Sequence, residues 1–219
     1  MEPSWQEVAL FRAGLYRFLG HCLLEYPQAG RQALLQPDFW RNFPLAPAND
    51  AMGAALDKLV GVTHGLQAKS QDEALESVQT EYTDLFLGAG EPKAPPWESL
   101  YRTPEKLMFG SPAFQVREAM TRFGVEAAEK YRQPEDHLGL ELMLLAAASE
   151  AASLREESDW RESARLQAEF IAAHPLGWIG DLEKDAAAHG AVGFYAALLG
   201  LTRGVLQWDS ELLREYVSS

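Results

Sequence analysis

Two tetrads of the form S-x-x-E, Ser4 to Glu7 and Ser70 to Glu73, each open a stretch in which apolar residues recur every three or four positions. In such a tetrad the serine hydroxyl and the glutamate carboxylate each accept a backbone N–H that a helix start would otherwise leave unpaired. After Ser4 the apolar positions are Val8, Phe11, Leu15, Phe18, Leu19 and Cys22; after Ser70 they are Leu75, Val78, Tyr82, Leu85 and Phe86. Both sets follow the period of a helix, not the alternation of a strand. Prolines and glycines punctuate the rest. Pro27 stops the first pattern and Gly88 is placed to cap the second, since glycine accepts a positive φ without penalty. The stretch from Asn42 to Asp50 reads as a loop, and Met52, Leu56, Leu59 and Val60 mark the helix after it. Thr103-Pro104 and Ser111-Pro112 each read as an N-cap followed by proline at the first helical position. The longest helical pattern runs from Tyr131 to Leu154, with Pro134 at its start and Glu135 and Asp136 in its first turn. Further patterns cover Asp159 to His174, a segment through Trp178 and Leu182, and Val192 to Trp208. The spacing predicts an all-α fold of roughly ten helices, as a single domain over 1–219 or two closely joined lobes.

Composition narrows the function. The 219 residues carry 32 acidic and 19 basic side chains, a net charge of −13, and no basic run occurs. Nucleic acid is therefore excluded as a partner, because phosphate binding needs a clustered basic surface. Cys22 is the single cysteine, so no intrachain disulfide and no thiolate metal set can form. The N-terminal segment is acidic and amphipathic rather than basic and then apolar, and no apolar stretch is long enough to span a membrane, which points to the cytoplasm. Enzyme signatures are missing. No P-loop and no G-x-S-x-G occurs, Gly88-Ala89-Gly90 follows a helix and lacks a third glycine, and no pair of E-x-x-H motifs is present. Asp185 and His189 stand four apart without a second such pair. No catalytic residue, metal or cofactor is expected.

What remains is a proline-rich connection with large aromatics. From Gly88 to Tyr101 the chain places Pro95, Pro96, Trp97 and Tyr101 where polar residues are the default. Downstream lies Gln133-Pro134-Glu135-Asp136-His137-Leu138-Gly139. Read alone, the aromatics pack a loop onto helices, and Asp136 and His137 are first-turn residues with His137 exposed. Read together, the order Tyr82-x-x-Leu85-Phe86-x-Gly88, Pro95-Pro96-Trp97-x-Ser99-x-Tyr101 and Pro134-x-Asp136-His137-x-Gly139 resembles the TorD/DmsD family of molybdoenzyme maturation chaperones.

The resemblance implies a cytoplasmic chaperone of anaerobic respiration. It would bind the twin-arginine signal peptide and the apo form of a DMSO or TMAO reductase-like oxidoreductase, aid cofactor insertion and prevent premature export. By position, Tyr82, Leu85, Phe86, Pro96, Trp97 and Tyr101 would form the apolar side of the leader site, and Pro134, Asp136 and His137 its polar side. Glu98 stands where family members commonly carry a small residue, and it reads equally as a second acidic contact or a solvated charge. An unperturbed histidine titrates near pH 6.5, so His137 would repel a cationic leader as the pH falls. The resemblance further implies weak guanine-nucleotide binding in some members, which no motif here localises, and a monomer or a domain-swapped dimer hinged before Pro134. Two other readings stand beside it: a nitrate-reductase-type assembly factor or chaperone of a non-exported client, and a helical hydrolase using Asp136 and His137 as acid and base. As a first test of the helix assignments, Ser70→Ala should cost about 1 kcal/mol in a denaturant titration, the usual loss for a removed N-cap. An unchanged midpoint would place the helix start elsewhere.

Overall fold

Both tetrads act as helix starts in the computed structural model, which describes residues 4–88, 90–125, 133–155 and 157–218. Ser4 Oγ accepts from Glu7 N at 3.3 Å while Glu7 Oε2 accepts from Ser4 N at 2.8 Å, opening α1 (Trp5–Leu24). Ser70 and Glu73 repeat the exchange at 3.3 and 2.9 Å, opening α4 (Gln71–Tyr82). Between them come a 3-10 helix (Ala29–Leu35), α2 (Pro37–Arg41) and α3 (Asp50–Leu66), the last capped by Asn49 Oδ1 accepting from Met52 N at 2.8 Å. After α4 a π turn (Thr83–Leu87) closes on Gly88, whose φ is 62° and whose Cβ, if added, would lie 2.9 Å from Pro92 N. Then follow α5 (Ser99–Arg102), α6 (Ser111–Phe123), α7 (Leu138–Ser153), α8 (Glu157–Ala173), α9 (Pro175–His189) and α10 (Phe194–Ser218). Among the described residues the one extended pairing is an isolated antiparallel bridge between Trp97 and His137, so the fold is all-α as expected. No helix among them is long and apolar enough to cross a membrane.

Several boundaries differ from the sequence reading. Helix α7 begins at Leu138 rather than near Tyr131, because His137 caps it: His137 Nδ1 accepts from Gly139 N at 3.0 Å. Glu135 and Asp136 therefore precede the helix, and Tyr131 and the expected hinge before Pro134 lie outside the described residues. Thr103-Pro104 opens no helix; Thr103 ends α5 and donates its hydroxyl to Ser99 O at 2.7 Å. In α6, Gly110 is the N-cap and Ser111 is already helical. Helix α10 runs on past Trp208 to Ser218, and Asp209 within it is buried against Arg12.

Two compact units divide the chain. The first comprises Met1–Glu25, Pro96–Trp178 and Asp209–Ser219. Its centre is α7, which is apolar on almost every side and buries residues all round, the pattern of a core helix. Gly20 and Gly139 let α1 approach it closely: a Cβ on Gly139 would sit 2.5 Å from Leu24 Cγ and 3.1 Å from Gly20 O. The apolar stripe read for α1 is rotated in the structure. Phe11 is 36% exposed, while Arg12 is fully buried and bonds Asp209 through Nε at 2.5 Å and Nη2 at 2.8 Å. Tyr16 OH donates to Asp209 Oδ2 at 2.6 Å, and Arg12 Nη2 also reaches Gln167 Oε1 at 2.8 Å. Burial opposes the charge on Arg12, but Asp209 outweighs it and the guanidinium is held above its ordinary pKa.

The second unit comprises Tyr26–Pro95 and Ile179–Trp208. Its organising group is Glu81, 1% exposed, on α4. The carboxylate collects four backbone N–H groups at the start of α10: Val192 and Gly193 on Oε1 at 3.0 and 2.6 Å, Phe194 and Tyr195 on Oε2 at 3.1 and 3.3 Å. A helix start has unpaired donors and a positive dipole end, so a buried carboxylate is stable there. Around it an aromatic cluster forms from Tyr82, Phe86 and Tyr195, with ring centroids 5.0 to 5.4 Å apart. Glu81→Gln removes the charge and turns one acceptor into a donor facing N–H groups. It should cost about 2 kcal/mol, in the range for hydrogen bonds to a charged group, and lower the thermal midpoint. An unaltered melting curve would mean that those N–H groups find other acceptors.

Candidate functional site

The sequence candidates fall into both units. Tyr82, Leu85 and Phe86 belong to the second, where Leu85 is fully buried and the two aromatics form the cluster around Glu81. Pro96, Trp97, Glu98, Tyr101, Pro134, Asp136 and His137 belong to the first, and the fold brings them together.

Backbone pairing does this. Residues 96–98 run antiparallel to 136–138: Leu138 N donates to Pro96 O and Glu98 N donates to Asp136 O, each at 2.9 Å, on either side of the Trp97–His137 bridge. Proline fixes φ and lacks an N–H, so Pro96 leaves its carbonyl as the group that pairs. A turn precedes α7, closed by His137 N donating to Pro134 O at 3.1 Å. Asp136 then points back across the pair. Its Oδ2 accepts from Ser99 N at 2.8 Å and from the Ser99 hydroxyl, and its Oδ1 has no hydrogen-bond partner. Asp136 is fully buried, and that burial, against the bonds from Ser99, raises its pKa. Trp97 is 8% exposed; its indole meets the His137 ring edge-on at 5.5 Å, and its Nε1 is likewise without a partner.

His137 is 4% exposed, not a surface residue. Burial pushes its pKa down to about 3, so the ring is neutral at pH 6 and supplies no switch in that range. Its Nδ1 is an acceptor, which fixes the tautomer with the proton on Nε2. Asp136 and His137 thus turn to different partners, and among the described residues no hydrogen bond joins them as an acid–base dyad.

Glu98 is buried at 0% exposure, which removes the solvated-charge reading. Its Oε1 accepts from Arg102 Nη1 at 2.6 Å and its Oε2 lies 2.9 Å from His174 Nδ1. Arg102 also donates to the Ala173 carbonyl, tying α5 to the end of α8. Glu141, from the first turn of α7, completes the group. Its Oε2 accepts from Trp178 Nε1 at 3.3 Å, and Trp178 stacks on Tyr101 at 5.4 Å. Burial, then the nearby charge of Glu98, pushes the Glu141 carboxyl well above its ordinary pKa. Its Oε1 has no hydrogen-bond partner. Glu98, Glu141 and His174 each offer a ligand atom within 4.8 Å of the others. A divalent cation there would have to displace the Glu141 proton and compete with Arg102, so the group reads as an internally balanced network.

Sequence reasoning named neither Glu141 nor His174, and gave Ser99 no role. A signal existed for Glu141: an acid at the fourth position of a helix, within a run of apolar residues, must be paired or protonated if that stretch is buried. Nothing local marks His174 or the Ser99 acceptor.

Comparison with known proteins covers this region. The family described as the nitrate reductase delta subunit matches residues 45–183. The chaperone protein TorD of Vibrio cholerae serotype O1 (strain ATCC 39541 / Classical Ogawa 395 / O395) is 33% identical over 160 residues, spanning 73% of this chain and 71% of that protein. The chaperone protein TorD of Psychrobacter sp. (strain PRwf-1) is 26% identical over 182 residues, spanning 80% of this chain and 79% of its own.

The buried acid sets a pH signature. Below its ordinary value of 4.5, Glu141 is protonated whether the chain is folded or not. Above it, only the folded state holds the proton, so stability falls as pH rises towards the folded pKa. His137 acts with the opposite sign: unfolded it binds a proton near pH 6.5, folded only near 3, so stability falls as pH drops through that window. Glu141→Gln imitates the protonated carboxyl. Relative to the parent it should become progressively more stable as the pH rises above 4.5. Denaturant titrations from roughly pH 5 to pH 8 measure this, and a constant difference would place the proton elsewhere.

Proposed function

This chain belongs to the TorD/DmsD family of chaperones, and from that premise we propose that it holds the twin-arginine leader and apo form of a molybdoenzyme in the cytoplasm. The observation that carries the reading is the convergence of the two family-like segments, Pro96 to Tyr101 and Pro134 to Gly139, on one backbone pair closed by Asp136. Asp136 is the contact proposed for a leader arginine. Its Oδ1 is an acceptor with no partner, and Trp97 Nε1, in the facing segment, is a donor with none. A peptide supplies both complements, a guanidinium for the carboxylate and a carbonyl for the indole. Because both side chains are buried, leader binding on this reading includes a local opening of the segment.

The nitrate reductase description of the matching family favours a second reading, an assembly factor for a nitrate-reductase-type client. The two differ in the captured protein. A tagged chain recovered from anaerobically grown cells should bring down an oxidoreductase with a twin-arginine leader on the first reading, and a nitrate reductase lacking one on the second.

Asp136→Asn tests the contact. It should weaken binding of a twin-arginine leader by about 2 kcal/mol or more, the cost of losing a charge-assisted partner, and change little for a leader whose arginines are replaced. Asp136 also holds Ser99, so melting must be recorded, with Ser99→Ala as the control that loosens the same bond and keeps the charge. Equal losses for both leaders, or for both variants, would assign Asp136 a structural role alone.

A further inference from the structure

The motif residues are buried, and the exposed apolar surface of the first unit lies elsewhere. Leu107, Met108 and Phe109 are 65%, 41% and 61% exposed, and Phe114 is 56% exposed. The first three are consecutive in the connection from α5 to α6, and Phe114 sits in the first turn of α6. An exposed run of three large apolar residues gains nothing from folding, and such patches mark binding surfaces.

The backbone singles out the same place. Lys106 and Phe109 have φ of 49° and 62°, a region that side chains other than glycine seldom adopt. Backbone held in a disfavoured conformation marks a segment fixed by its surroundings. The stem is tightly held: Lys106 N donates to Thr103 O at 3.2 Å, and Gly110 N donates to Ser99 Oγ at 3.2 Å. Gly110 has no room for a side chain, since a Cβ would lie 2.9 Å from Thr103 Cγ2 and 3.1 Å from Ser99 Oγ. Ser99 is the residue that holds Asp136, so the base of this loop is hydrogen-bonded to the motif itself.

Beyond Phe114 the surface continues along α6. Glu118 lies one turn after Phe114, and with Arg122, Phe123, Leu166, Glu169 and Phe170 it lines a cleft of about 310 Å³ between α6 and α8. Around the surface Glu105 and Glu118 stand against Lys106 and Arg122, while Glu169 is paired with Arg165, and Arg117, whose guanidinium lies 5.8 Å from the Phe114 ring, is paired with Glu135 at 2.6 Å. These local charges balance, and the bias is that of the whole chain, at −13. A neutral apolar partner does not need that bias; a peptide with an apolar stretch and a cationic flank matches it.

We infer that Leu107, Met108, Phe109 and Phe114 form the docking surface for the apolar stretch of the client leader, next to the Asp136 motif that takes its arginine. This rests on the leader-binding reading above and places the apolar contact on exposed residues outside the family-like segments.

The experiment uses the full chain and a synthetic fluorescent peptide of two arginines followed by roughly twelve apolar residues. Sister peptides replace the arginines by glutamine, or the apolar stretch by serine and glycine. In Leu107→Ser/Phe109→Ser/Phe114→Ser the altered side chains are exposed, so melting should hold. Affinity should fall at least about tenfold for both peptides that keep the apolar stretch, as expected for loss of central apolar anchors, and not for the serine–glycine peptide. Leu107→Glu is the second variant should the triple change unfold the chain, and it should weaken the same two peptides. Unchanged affinity in a folded variant overturns the inference and leaves the leader reading standing. A parent dimer that the variant dissociates, with peptide binding intact, overturns it in favour of self-association. Failure of the parent to bind any of the three peptides overturns both.

Discussion

The acceptance of two hydrogen bonds from Ser99 by the Asp136 carboxylate, across 37 residues of chain, is the constraint on which the site is built. Everything near it depends on the proximity that this bond and its backbone pair enforce. The Trp97–His137 contact, the burial of Glu98 and the tether of Gly110 all follow from holding residues 96–99 against the entrance of α7. A backbone N–H and a hydroxyl both donate to the Asp136 carboxylate, and these bonds oppose the rise in pKa that burial causes.

Glu141 shows the alternative outcome in the same core. It has one donor, Trp178 Nε1, and a carboxylate neighbour, so its carboxyl is pushed well above its ordinary pKa. Burial raises both acids; the bonds from Ser99 oppose that rise at Asp136, and the charge of Glu98 adds strongly to it at Glu141. Arg12 and Asp209 settle a third case by mutual neutralisation, joining α1 to the C-terminal half of α10 at no exposure. Such pairs add little net stability compared with apolar residues, but removing one member leaves a bare buried charge, so they enforce one arrangement of the helices.

A chaperone of this kind faces opposing demands. On the proposed reading it presents apolar surface to an unfinished client and remains folded itself. Most motif side chains are internal, whereas Leu107, Met108 and Phe109 stand exposed together on a loop whose stem is fixed. The acidic excess keeps such a surface soluble and favours basic partners over like molecules.

The sequence by itself determined the local features. The capping boxes at Ser4 and Ser70, the glycine at Gly88 and the all-α class were legible, because caps and periodicity act within a few residues; the backbone pairing of the Trp97 and Asp136 segments was not. The start of α7 was misplaced because acids after a proline look the same in a turn as in a first helical turn; only the His137 ring accepting from Gly139 separates the two. What the tertiary structure alone decided is burial and partnership. Phe11 and Arg12 exchange the faces that hydrophobicity assigns them because Asp209, 197 residues away, arrives at Arg12. Glu98 is internal because Arg102 and His174 meet it, and Glu81 because α10 begins above it. A charged residue carries no mark of its eventual partner. The free energy of burying it depends on groups distant in sequence, and only the folded chain brings those within hydrogen-bonding distance.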